Sequence, residues 1–477
     1  MRNLTLLTDF YQLTMMNTYL NSGTENKIGI FDVFFRGKAE TSYSVAAGLE
    51  QVIDYILNIK FTDEDIEYLR SQKAFDERFL KKLETLKFSG DVYAVKEGTV
   101  VFPYEPILTV SAPLFEAQLI ETAILNIINH QTLIATKAAK INYVAAEKDV
   151  VEFGLRRAQG PDAGIYGTRA SVIGGCRSTS NVYAAKLFGI QPKGTHAHSF
   201  VMSFDSEYEA FMKYAEMYPD KCLLLVDTYD TLGSGVPNAI KVFDYLKSIG
   251  KKPVGIRIDS GDLAYLSRAA REMLDKAGHT DATIFASGDI DENVIASLNT
   301  QNAKIDAYGI GTKLITGYDN PSLGGVYKLA GIVENGQIIP KMKISNSKEK
   351  LTNPGFKKVY RIYNKDNMAE ADLVMLHDEE IDESKPLTIF DPDITWQKKT
   401  LTGYTVKNIT VKIIEKGKLI YALPKLYDIR EYALTSLAEF YDAYKRLQNP
   451  HIYKVDLSDK LYDMRKTLIG TFLKQPE

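Results

Sequence analysis

The segment Val254–Asp262 reads VGIRIDSGD, an apolar run that ends in a cluster of polar residues and glycine. The same pattern recurs at Val150–Arg157 (VVEFGLRR), Leu223–Asp230 (LLLVDTYD), Thr283–Asp289 (TIFASGD) and Asp306–Thr312 (DAYGIGT). Amphipathic helical periodicity follows these runs, at about 168–188, 236–249, 263–277 and 292–299. Apolar strands that alternate with helices predict βα units and a parallel sheet, and a series of such units indicates a closed or nearly closed barrel.

Carboxylates follow three successive predicted strands, at the edge where a parallel barrel places its chemistry. Asp227 and Asp259 stand directly at strand ends. Such groups can hold Mg²⁺ through water, orient ribose hydroxyls or stabilise a developing cation. For Asp262 and Asp289 the alternative is N-capping of the helix that follows, because an Asp side chain there accepts from free backbone N–H groups.

Two of the six histidines of the chain fall within Gly194–Ser199 (GTHAHS). Histidine can act as nucleophile, proton shuttle or metal ligand near neutral pH. A metal site built from His196 and His198 lacks an obvious third histidine nearby, and a further interpretation is that the pair only caps a turn. The carboxylates at the later strand ends favour chemistry at this hexapeptide.

Cationic, aromatic and glycine residues complete the candidate site. Arg156, Arg157, Arg169 and Arg257 lie at or near strand ends, and a guanidinium suits a carboxylate or a phosphate. An ion pair with one of the Asp residues is the alternative for Arg257. The aromatic candidates for holding a flat ring are Phe153 and Tyr11, although a Phe at a strand end is also an ordinary core residue. Glycines just before predicted helices let backbone N–H groups approach a phosphate, and these are Gly288, Gly309 and Gly311.

Composition excludes several classes of protein. The 477 residues are 45% hydrophobic and 25% charged with a net charge of −3, which describes a globular protein of two or three domains without a basic field for nucleic acid. Cys176 and Cys222 stand in apolar or small-residue surroundings, so we expect reduced core cysteines. No P-loop occurs, and no Gly-x-Gly-x-x-Gly follows a first strand. No signal peptide or membrane-spanning run is found, so we expect a cytoplasmic protein without a membrane partner.

The remaining segments predict a second, β-rich domain. A helix is predicted at 4–22, a strand at 27–36, helices at 45–58, after 62–65 and at 74–86, short strands over 91–112, and a long helix over 113–147 that breaks near 129–130. Strand-like runs return over 326–415, and the tail 424–477 reads as helical. We therefore predict an α/β fold with an irregular TIM-like barrel at 126–325. The β-rich domain is predicted at 1–125, completed by 326–420, and a helical segment at 421–477.

Five ordered motifs resemble the nicotinate phosphoribosyltransferases. They are Leu7–Thr14 (LTDFYQLT), Phe153–Gly160 (FGLRRAQG), Gly194–Ser199 (GTHAHS), Arg257–Leu263 (RIDSGDL) and Thr352–Lys357 (TNPGFK). The resemblance runs from near residue 4 to at least Gly355. It implies a type II phosphoribosyltransferase fold and a homodimer. It also implies transfer of phosphoribose from phosphoribosyl pyrophosphate to nicotinate in NAD salvage, with ATP hydrolysed alongside and Mg²⁺ as cofactor.

The resemblance also implies roles for single residues. His198 would be phosphorylated by ATP. The pyridine would lie between Phe153 and Tyr11, the latter from the partner subunit, with Arg257 facing its carboxylate and Arg156 near the ring or the pyrophosphate. Two carboxylates would hold ribose, Mg²⁺ or the developing charge, namely Asp227 and Asp259. The 5′-phosphate would be held by Gly288, Asp289, Gly311 and Thr312.

The choice of ring depends on Ser180. The related nicotinamide enzyme carries an Asp at this position, which would accept from an amide and repel a carboxylate, so Ser180 favours nicotinate. Nicotinamide phosphoribosyl transfer stays an alternative. A sugar-phosphate lyase or isomerase on an ordinary barrel, or a nucleotide-binding module without catalysis, are alternatives from other classes.

Overall fold

The computed structural model describes residues 3–37, 43–345, 347 and 350–473, and the few residues of the predicted domains and tail beyond these ranges lie outside the described part. The chain divides into two compact units. One is Ile134–Pro321, and the other combines Met1–Leu133 with Ser322–Glu477. The predicted domain boundaries at 125, 325 and 420 stay predictions.

The unit Ile134–Pro321 is built on one parallel sheet of seven strands. In order across the sheet the strands are Gln191–Pro192, Ser178–Thr179, Asp149–Glu152, Ala307–Ile310, Thr283–Gly288, Gly255–Ile258 and Leu223–Leu225. The sheet curls into a half-barrel, and within the described residues each outermost strand pairs on one side only. The predicted α/β class with a parallel sheet is confirmed, whereas closure into a full barrel is not seen among these residues.

Apolar residues without alternation form these strands because both faces of the sheet are covered. Leu224, Ile256 and Ile284 have no exposed surface, and they pack in one cluster with Val242 and Phe243 of a covering helix. The helices of this unit are Pro161–Ile173, Val182–Phe188, His198–Met202, Glu207–Met217, Val236–Ser248, Leu263–Lys276, Glu292–Thr300 and Thr312–Ile315, with shorter helical turns at Leu155–Arg157, Pro219–Lys221 and Thr231–Gly235. Because the strands are parallel, the polar residues that follow them lie together at the carboxyl edge of the sheet.

The helix predicted over 168–188 is wrong, because two helices and a strand occupy this region. The first helix ends at Ile173, and Gly175 follows with φ +117°, a conformation that side chains with a Cβ rarely adopt. The strand Ser178–Thr179 comes next, and the Asn181 side chain then accepts from the Ala184 amide at 3.1 Å to cap the second helix. A strand of two residues is too short for a periodicity to reveal it.

The other unit contains mainly antiparallel sheets that join distant parts of the chain. Its strands are Ile28–Phe35, Ser44–Val45, Asp91–Val95, Val100–Val101, Leu108–Pro113, Gly325–Glu334, Gln337–Pro340, Lys357–Tyr363, Ala369–Leu376, Leu387–Phe390, Lys398–Leu401, Thr405–Asn408, Thr410–Glu415, Lys418–Leu419 and Lys454–Leu457. Strand Ile28–Phe35 pairs with both Leu108–Pro113 and Gly325–Glu334. Strand Asp91–Val95 pairs with Thr410–Glu415.

The helices of this unit differ from the predictions mainly at their ends. They are Phe10–Ser22, Leu49–Leu57, Asp63–Ser71, Glu77–Glu84, Leu114–Leu119, Leu426–Ala438, Asp442–Lys445 and Asp459–Leu473, and the helix Glu121–Ala145 continues into the parallel-sheet unit. The long helix breaks at Ile120 and not near 129–130. The predicted helical tail also contains a strand, Lys454–Leu457, which pairs in parallel with Ala369–Leu376.

Candidate functional site at the carboxyl edge of the parallel sheet

The Arg257 guanidinium lies at the centre of the polar edge and joins three loops. Its Nε donates to Ser287 Oγ at 2.8 Å, and its Nη2 donates to Asp259 Oδ1 at 2.7 Å. Its Nη1 donates to Thr195 Oγ1 at 3.2 Å and to the His196 carbonyl at 3.3 Å. A guanidinium has five N–H donors, so one N–H on Nη2 is left for a ligand. The sequence predicts that Arg257 either binds a ligand or forms an ion pair with an Asp. The ion pair with Asp259 is present, and one N–H donor is left for a ligand.

Asp259 is held in its ionised form by this arrangement. Burial raises the pKa of the carboxyl, but the hydrogen bonds from Ser287 and Arg257 outweigh burial and leave the pKa below its usual value. Asp259 Oδ1 accepts from Ser287 Oγ at 2.5 Å as well as from Arg257. A fixed negative charge at neutral pH follows, at the end of the strand Gly255–Ile258.

Asp227 has one carboxylate oxygen that no donor in the described structure satisfies. Its side chain is 2% exposed. Its Oδ2 accepts from the Asp259 amide at 2.9 Å and from Ser260 Oγ at 2.6 Å. Its Oδ1 is buried without a hydrogen-bond donor and lies 4.0 Å from His198 Nε2. A buried carboxylate oxygen without a donor is costly, so Oδ1 is an acceptor available to a ligand or to the histidine.

His198 is the first residue of the helix His198–Met202 and its side chain is 41% exposed. Its Nδ1 lies 3.1 Å from Thr228 Oγ1. The ring is therefore held between Thr228 on one nitrogen and Asp227 on the other, while enough of its surface stays open for a second molecule to reach it.

His196 has a different environment, although only one residue separates it from His198. It is 9% exposed, its Nε2 accepts from the Leu225 amide at 3.3 Å, and its ring lies edge-on to Tyr214 with centroids 4.8 Å apart. Burial lowers the pKa of His196 to about 4. No group of three or more His, Cys, Asp or Glu that could hold a metal occurs among the described residues. The alternative of a metal site on the two histidines therefore has no support, and His196 packs in the core.

The low pKa of His196 predicts a loss of stability in acid. The folded-state pKa of about 4 lies below the usual 6.5, so the unfolded chain takes up the proton first and stability falls as the pH drops from 6.5 towards 4. Between pH 7 and pH 5 this group should remove about 2 kcal/mol from the free energy of unfolding. His196→Gln keeps an acceptor for the Leu225 amide but has no group that titrates. Between pH 7 and pH 5, its free energy of unfolding in urea should therefore fall by about 2 kcal/mol less than that of wild type. An equal pH dependence of the two proteins would contradict the assignment.

Phe153 forms an aromatic wall beside Arg257. It is half-buried and comes directly after the strand Asp149–Glu152. Its ring centroid lies 5.7 Å from Arg257 Cζ and 5.8 Å from the Phe285 ring centroid. A Cβ on Gly309 would stand 2.5 Å from the Phe153 ring, so only glycine leaves room for the ring in this position. A flat ring set against Phe153 would have the Arg257 guanidinium close by.

The two glycine turns lie at the ends of neighbouring strands of the sheet. Gly288 has φ +112°, and a Cβ there would stand 2.5 Å from the Asp259 carbonyl oxygen. Gly311 and the half-buried Thr312 follow the adjacent strand Ala307–Ile310. Lys313 Nζ lies 2.8 Å from Asp291 Oδ2, and this ion pair joins the two turns.

The capping alternative holds for one of the two Asp residues and not for the other. Asp262 Oδ1 accepts from the Tyr265 amide at 3.0 Å, so Asp262 caps the helix Leu263–Lys276. The helix Glu292–Thr300 is capped by Asp291. Asp289 is exposed and takes no part in that cap.

Three further predicted residues take no part in the hydrogen bonds and ring contacts described above for Arg257. Arg156 is exposed in the helical turn that follows Phe153, and Ser180 is exposed after the strand Ser178–Thr179. Tyr11, 50% exposed, belongs to the other compact unit. Sequence reasoning missed the pairing role of Ser287 and the contact of Thr228 with His198. A hydroxyl next to a strand-end glycine or Asp was the only signal for them.

Convergence of a histidine, two carboxylates, an arginine and an aromatic ring at the carboxyl edge of a parallel sheet defines an α/β enzyme with its site at the strand ends. Sequence models of three parts of one family match the chain. The nicotinate phosphoribosyltransferase (NAPRTase) N-terminal domain matches residues 6–129, the NAPRTase family 149–366 and the NAPRTase C-terminal domain 356–465.

Individual proteins agree with these matches. The chain is 50% identical to the nicotinate phosphoribosyltransferase of Bacillus subtilis over 96% of this chain and 93% of that protein. It is 38% identical to that of Caenorhabditis elegans over 97% and 93% of the two chains. The crystal structure of human nicotinic acid phosphoribosyltransferase superposes with a TM-score of 0.85 at 30% identity, covering 97% of this chain and 99% of that one. The chain therefore belongs to the nicotinate phosphoribosyltransferase family. In the part of the chain that is described, no helix has the length and apolar character needed to cross a membrane.

Proposed function

We propose that this enzyme forms nicotinate mononucleotide and pyrophosphate from nicotinate and phosphoribosyl pyrophosphate, in NAD salvage, and that ATP hydrolysis is coupled to this transfer through a phosphohistidine at His198. The observation that carries the coupling is the position of His198, exposed at the strand ends with one ring nitrogen directed at the unsatisfied Oδ1 of Asp227. Family membership supports the phosphoribosyl transfer.

The surroundings of His198 select one ring nitrogen as the nucleophile. A proton on Nε2 faces the Asp227 carboxylate, and Nδ1 then accepts from the Thr228 hydroxyl. Once this hydrogen bond opens, the Nδ1 lone pair attacks the γ-phosphorus of ATP. An N–P bond forms, the bond from the γ-phosphorus to the oxygen bridging it to the β-phosphorus breaks, and ADP leaves. The Asp227 charge stabilises the ring as it becomes electron-poor.

The remaining residues suit the phosphoribosyl transfer. Nicotinate would stack on Phe153, with its carboxylate near the remaining N–H of Arg257 and with Ser180 presenting no negative charge to it. The pyridine nitrogen attacks the anomeric carbon as the bond from that carbon to pyrophosphate breaks. This passes through an oxocarbenium-like state, which the charges of Asp227 and Asp259 stabilise. The 5′-phosphate would bind the turns of Gly288, Asp289, Gly311 and Thr312, and Arg156 would lie near the ring or the pyrophosphate.

Mg²⁺ fits this donor set as a substrate-borne ion. One unsatisfied carboxylate oxygen, on Asp227, and no cluster of three or more protein ligands within the described ranges suit a cation that the phosphates mainly hold. Asp227 would contribute through water. When bound, Mg²⁺ neutralises charge on the departing pyrophosphate.

A homodimer belongs to the same proposal. Leu7, Phe10, Tyr11 and Met15 are exposed apolar or aromatic residues at and just before the helix Phe10–Ser22, where a second copy would cover them. Tyr11 would then close the pyridine site of the partner subunit. The organisation into a β-rich domain, an α/β barrel domain and a C-terminal segment, in a cytoplasmic enzyme, completes the proposal. Pairing of Ile28–Phe35 with Gly325–Glu334 supports its β-rich part.

The direct test is pyrophosphate release with nicotinate, nicotinamide or quinolinate, each with and without ATP. We expect release with nicotinate, faster when ATP is present, and at least about tenfold less with nicotinamide, because only nicotinate offers Arg257 a charged partner. Quinolinate should give none. Equal turnover of nicotinamide would favour the amide enzyme, and turnover of a sugar phosphate without phosphoribosyl pyrophosphate would contradict the proposal.

A further inference from the structure

Glu152 is a fully buried carboxylate next to Phe153 of the proposed pyridine site. It ends the strand Asp149–Glu152, and the next residue is Phe153. Its relative exposure is 0%. Charged residues are rarely buried to this extent without a set of hydrogen-bonding partners, so its contacts indicate why it stands there.

The Glu152 carboxylate accepts hydrogen bonds from two sides. Oε1 accepts from the Gly154 amide in the turn that carries Phe153. Oε2 accepts from Thr179 Oγ1 at 2.5 Å, at the end of the neighbouring strand. Thr168 Oγ1 makes the third contact to the carboxylate, at 3.0 Å from Oε2. One carboxylate therefore joins two strand ends of the site.

The same residue also holds Ser180 through its main chain. The Ser180 amide donates to the Glu152 carbonyl at 2.9 Å, immediately after Thr179. On the other side, a Cβ on Gly154 would stand 2.8 Å from Glu152 Oε1, so the turn is packed directly on the carboxylate. The positions of Phe153 and Ser180 relative to each other are thus set through Glu152.

We propose that Glu152 is a positioning residue for the pyridine site, which fixes the spacing between the Phe153 ring and Ser180 and so sets affinity for the ring and preference for nicotinate. This rests on the proposed function, in which these two residues contact the pyridine. Glu152 itself is buried and touches no substrate. Its effect should therefore fall on nicotinate and leave phosphoribosyl pyrophosphate unaffected.

Burial and hydrogen bonding act in opposite directions on this carboxyl. Burial raises the pKa of Glu152 above its usual value, and the hydrogen bonds from Thr179, the Gly154 amide and Thr168 offset only part of that rise. The Gly154 amide and the Thr179 hydroxyl present hydrogens to the carboxylate, whereas the one hydrogen of the Thr168 hydroxyl is shared with the Gly164 carbonyl at 2.8 Å. The Gly154 amide cannot turn to accept a hydrogen bond. An uncharged side chain without an acceptor would leave that amide unsatisfied and free the turn to move.

The test measures KM for each substrate in Thr179→Val, Glu152→Leu and Glu152→Gln. We expect Glu152→Leu to raise KM for nicotinate by about tenfold, a change equal to the net free energy of roughly one hydrogen bond. The KM for phosphoribosyl pyrophosphate should stay within about twofold of wild type. Thr179→Val removes a hydroxyl that donates to Glu152 and accepts from the Asn181 amide at 2.9 Å, and it should raise KM for nicotinate by about threefold. Glu152→Gln should recover most of the loss, because its amide oxygen still accepts from Gly154 and its NH₂ can donate to Thr179.

Glu207→Leu is the matched control. Glu207 is a 5% exposed carboxylate in the same compact unit, and its Oε2 accepts from Asn238 Nδ2 at 3.0 Å. This variant should lower the melting temperature without separating the two KM values. If Glu152→Leu does not fold, Thr179→Val still decides the question.

The outcomes separate the inference from the function on which it rests. Equal changes in the two KM values for Glu152→Leu and Thr179→Val, or a loss of stability with both KM values unchanged, would overturn the positioning role alone. A wild-type enzyme that releases no pyrophosphate with nicotinate would overturn the proposed function and, with it, this inference.

Discussion

Replacement of His198 by alanine is expected to abolish transfer of phosphate from γ-labelled ATP to the protein. Alanine offers no nitrogen to form the N–P bond, so acid-labile label should fall to background. ATP should also no longer accelerate pyrophosphate release with nicotinate, while the rate without ATP persists. Filter-bound radioactivity before and after acid treatment, together with the release assay, measures both effects.

His279 supplies a matched control for this experiment. Its Nε2 lies 3.0 Å from Asp244 Oδ1, so it is also a histidine paired with an aspartate in the same compact unit, but its side chain is 4% exposed. His279→Ala should keep full labelling. Asp227→Asn should reduce the labelling rate of His198 by at least about tenfold, because the charge facing Nε2 is lost. Undiminished labelling of His198→Ala would show that another residue accepts the phosphate.

Replacement of Arg257 by methionine is expected to lower kcat/KM for nicotinate by at least about 100-fold, which corresponds to about 3 kcal/mol. The change removes the cation nearest to the expected position of the nicotinate carboxylate and also leaves Asp259 without its ion-pair partner. Turnover of nicotinamide should fall less, so the ratio of the two specificity constants should drop. Arg257→Lys should not restore activity, because a single ammonium cannot span Ser287, Asp259 and Thr195 as the guanidinium does.

Arg271 is the control for loss of a structural guanidinium. Its Nη2 donates to the His279 carbonyl at 2.7 Å and its Nε to Asp275 Oδ1 at 2.8 Å, both away from the strand ends. Arg271→Met should lower the melting temperature and leave kcat/KM for nicotinate within about twofold of wild type. An Arg257→Met variant that keeps its preference for nicotinate would contradict recognition of the carboxylate by Arg257.

The parallel sheet could be predicted from the sequence because its longer strands are continuously apolar. Runs such as Leu223–Val226 are typical of strands covered on both faces, and glycine or Asp marks where they end. The strands Ser178–Thr179 and Gln191–Pro192 escaped prediction, because two residues carry no periodicity. Pairing of Lys454–Leu457 also depends on a strand far away in the chain, which no local pattern encodes.

In the candidate site too, some features follow from the local sequence pattern, whereas others depend on tertiary contacts. That Asp227 and Asp259 lie near one another follows from adjacent parallel strands, which end at the same edge. His198 begins a helix after Gln191–Pro192, the outermost strand on the other side of the sheet, so its approach to Asp227 depends on a chain path that spacing does not determine. The hydrogen bonds that Arg257 makes with Asp259 and Ser287 depend on side-chain rotamers, which spacing does not determine. Glu152 looked like one more strand residue, since nothing in VVEF shows that two threonines converge on its carboxylate.

The order of segments along the chain has a consequence for synthesis on the ribosome. Residues of Ile134–Pro321 emerge together, whereas Ile28 pairs with Val333 and Val95 pairs with Thr410. The unit Ile134–Pro321 can therefore fold before the strands that complete the other unit have been translated. Until those strands emerge, the incomplete antiparallel sheet has unpaired strand edges, to which other polypeptides could add a strand. Chaperones would protect this unit most during that interval.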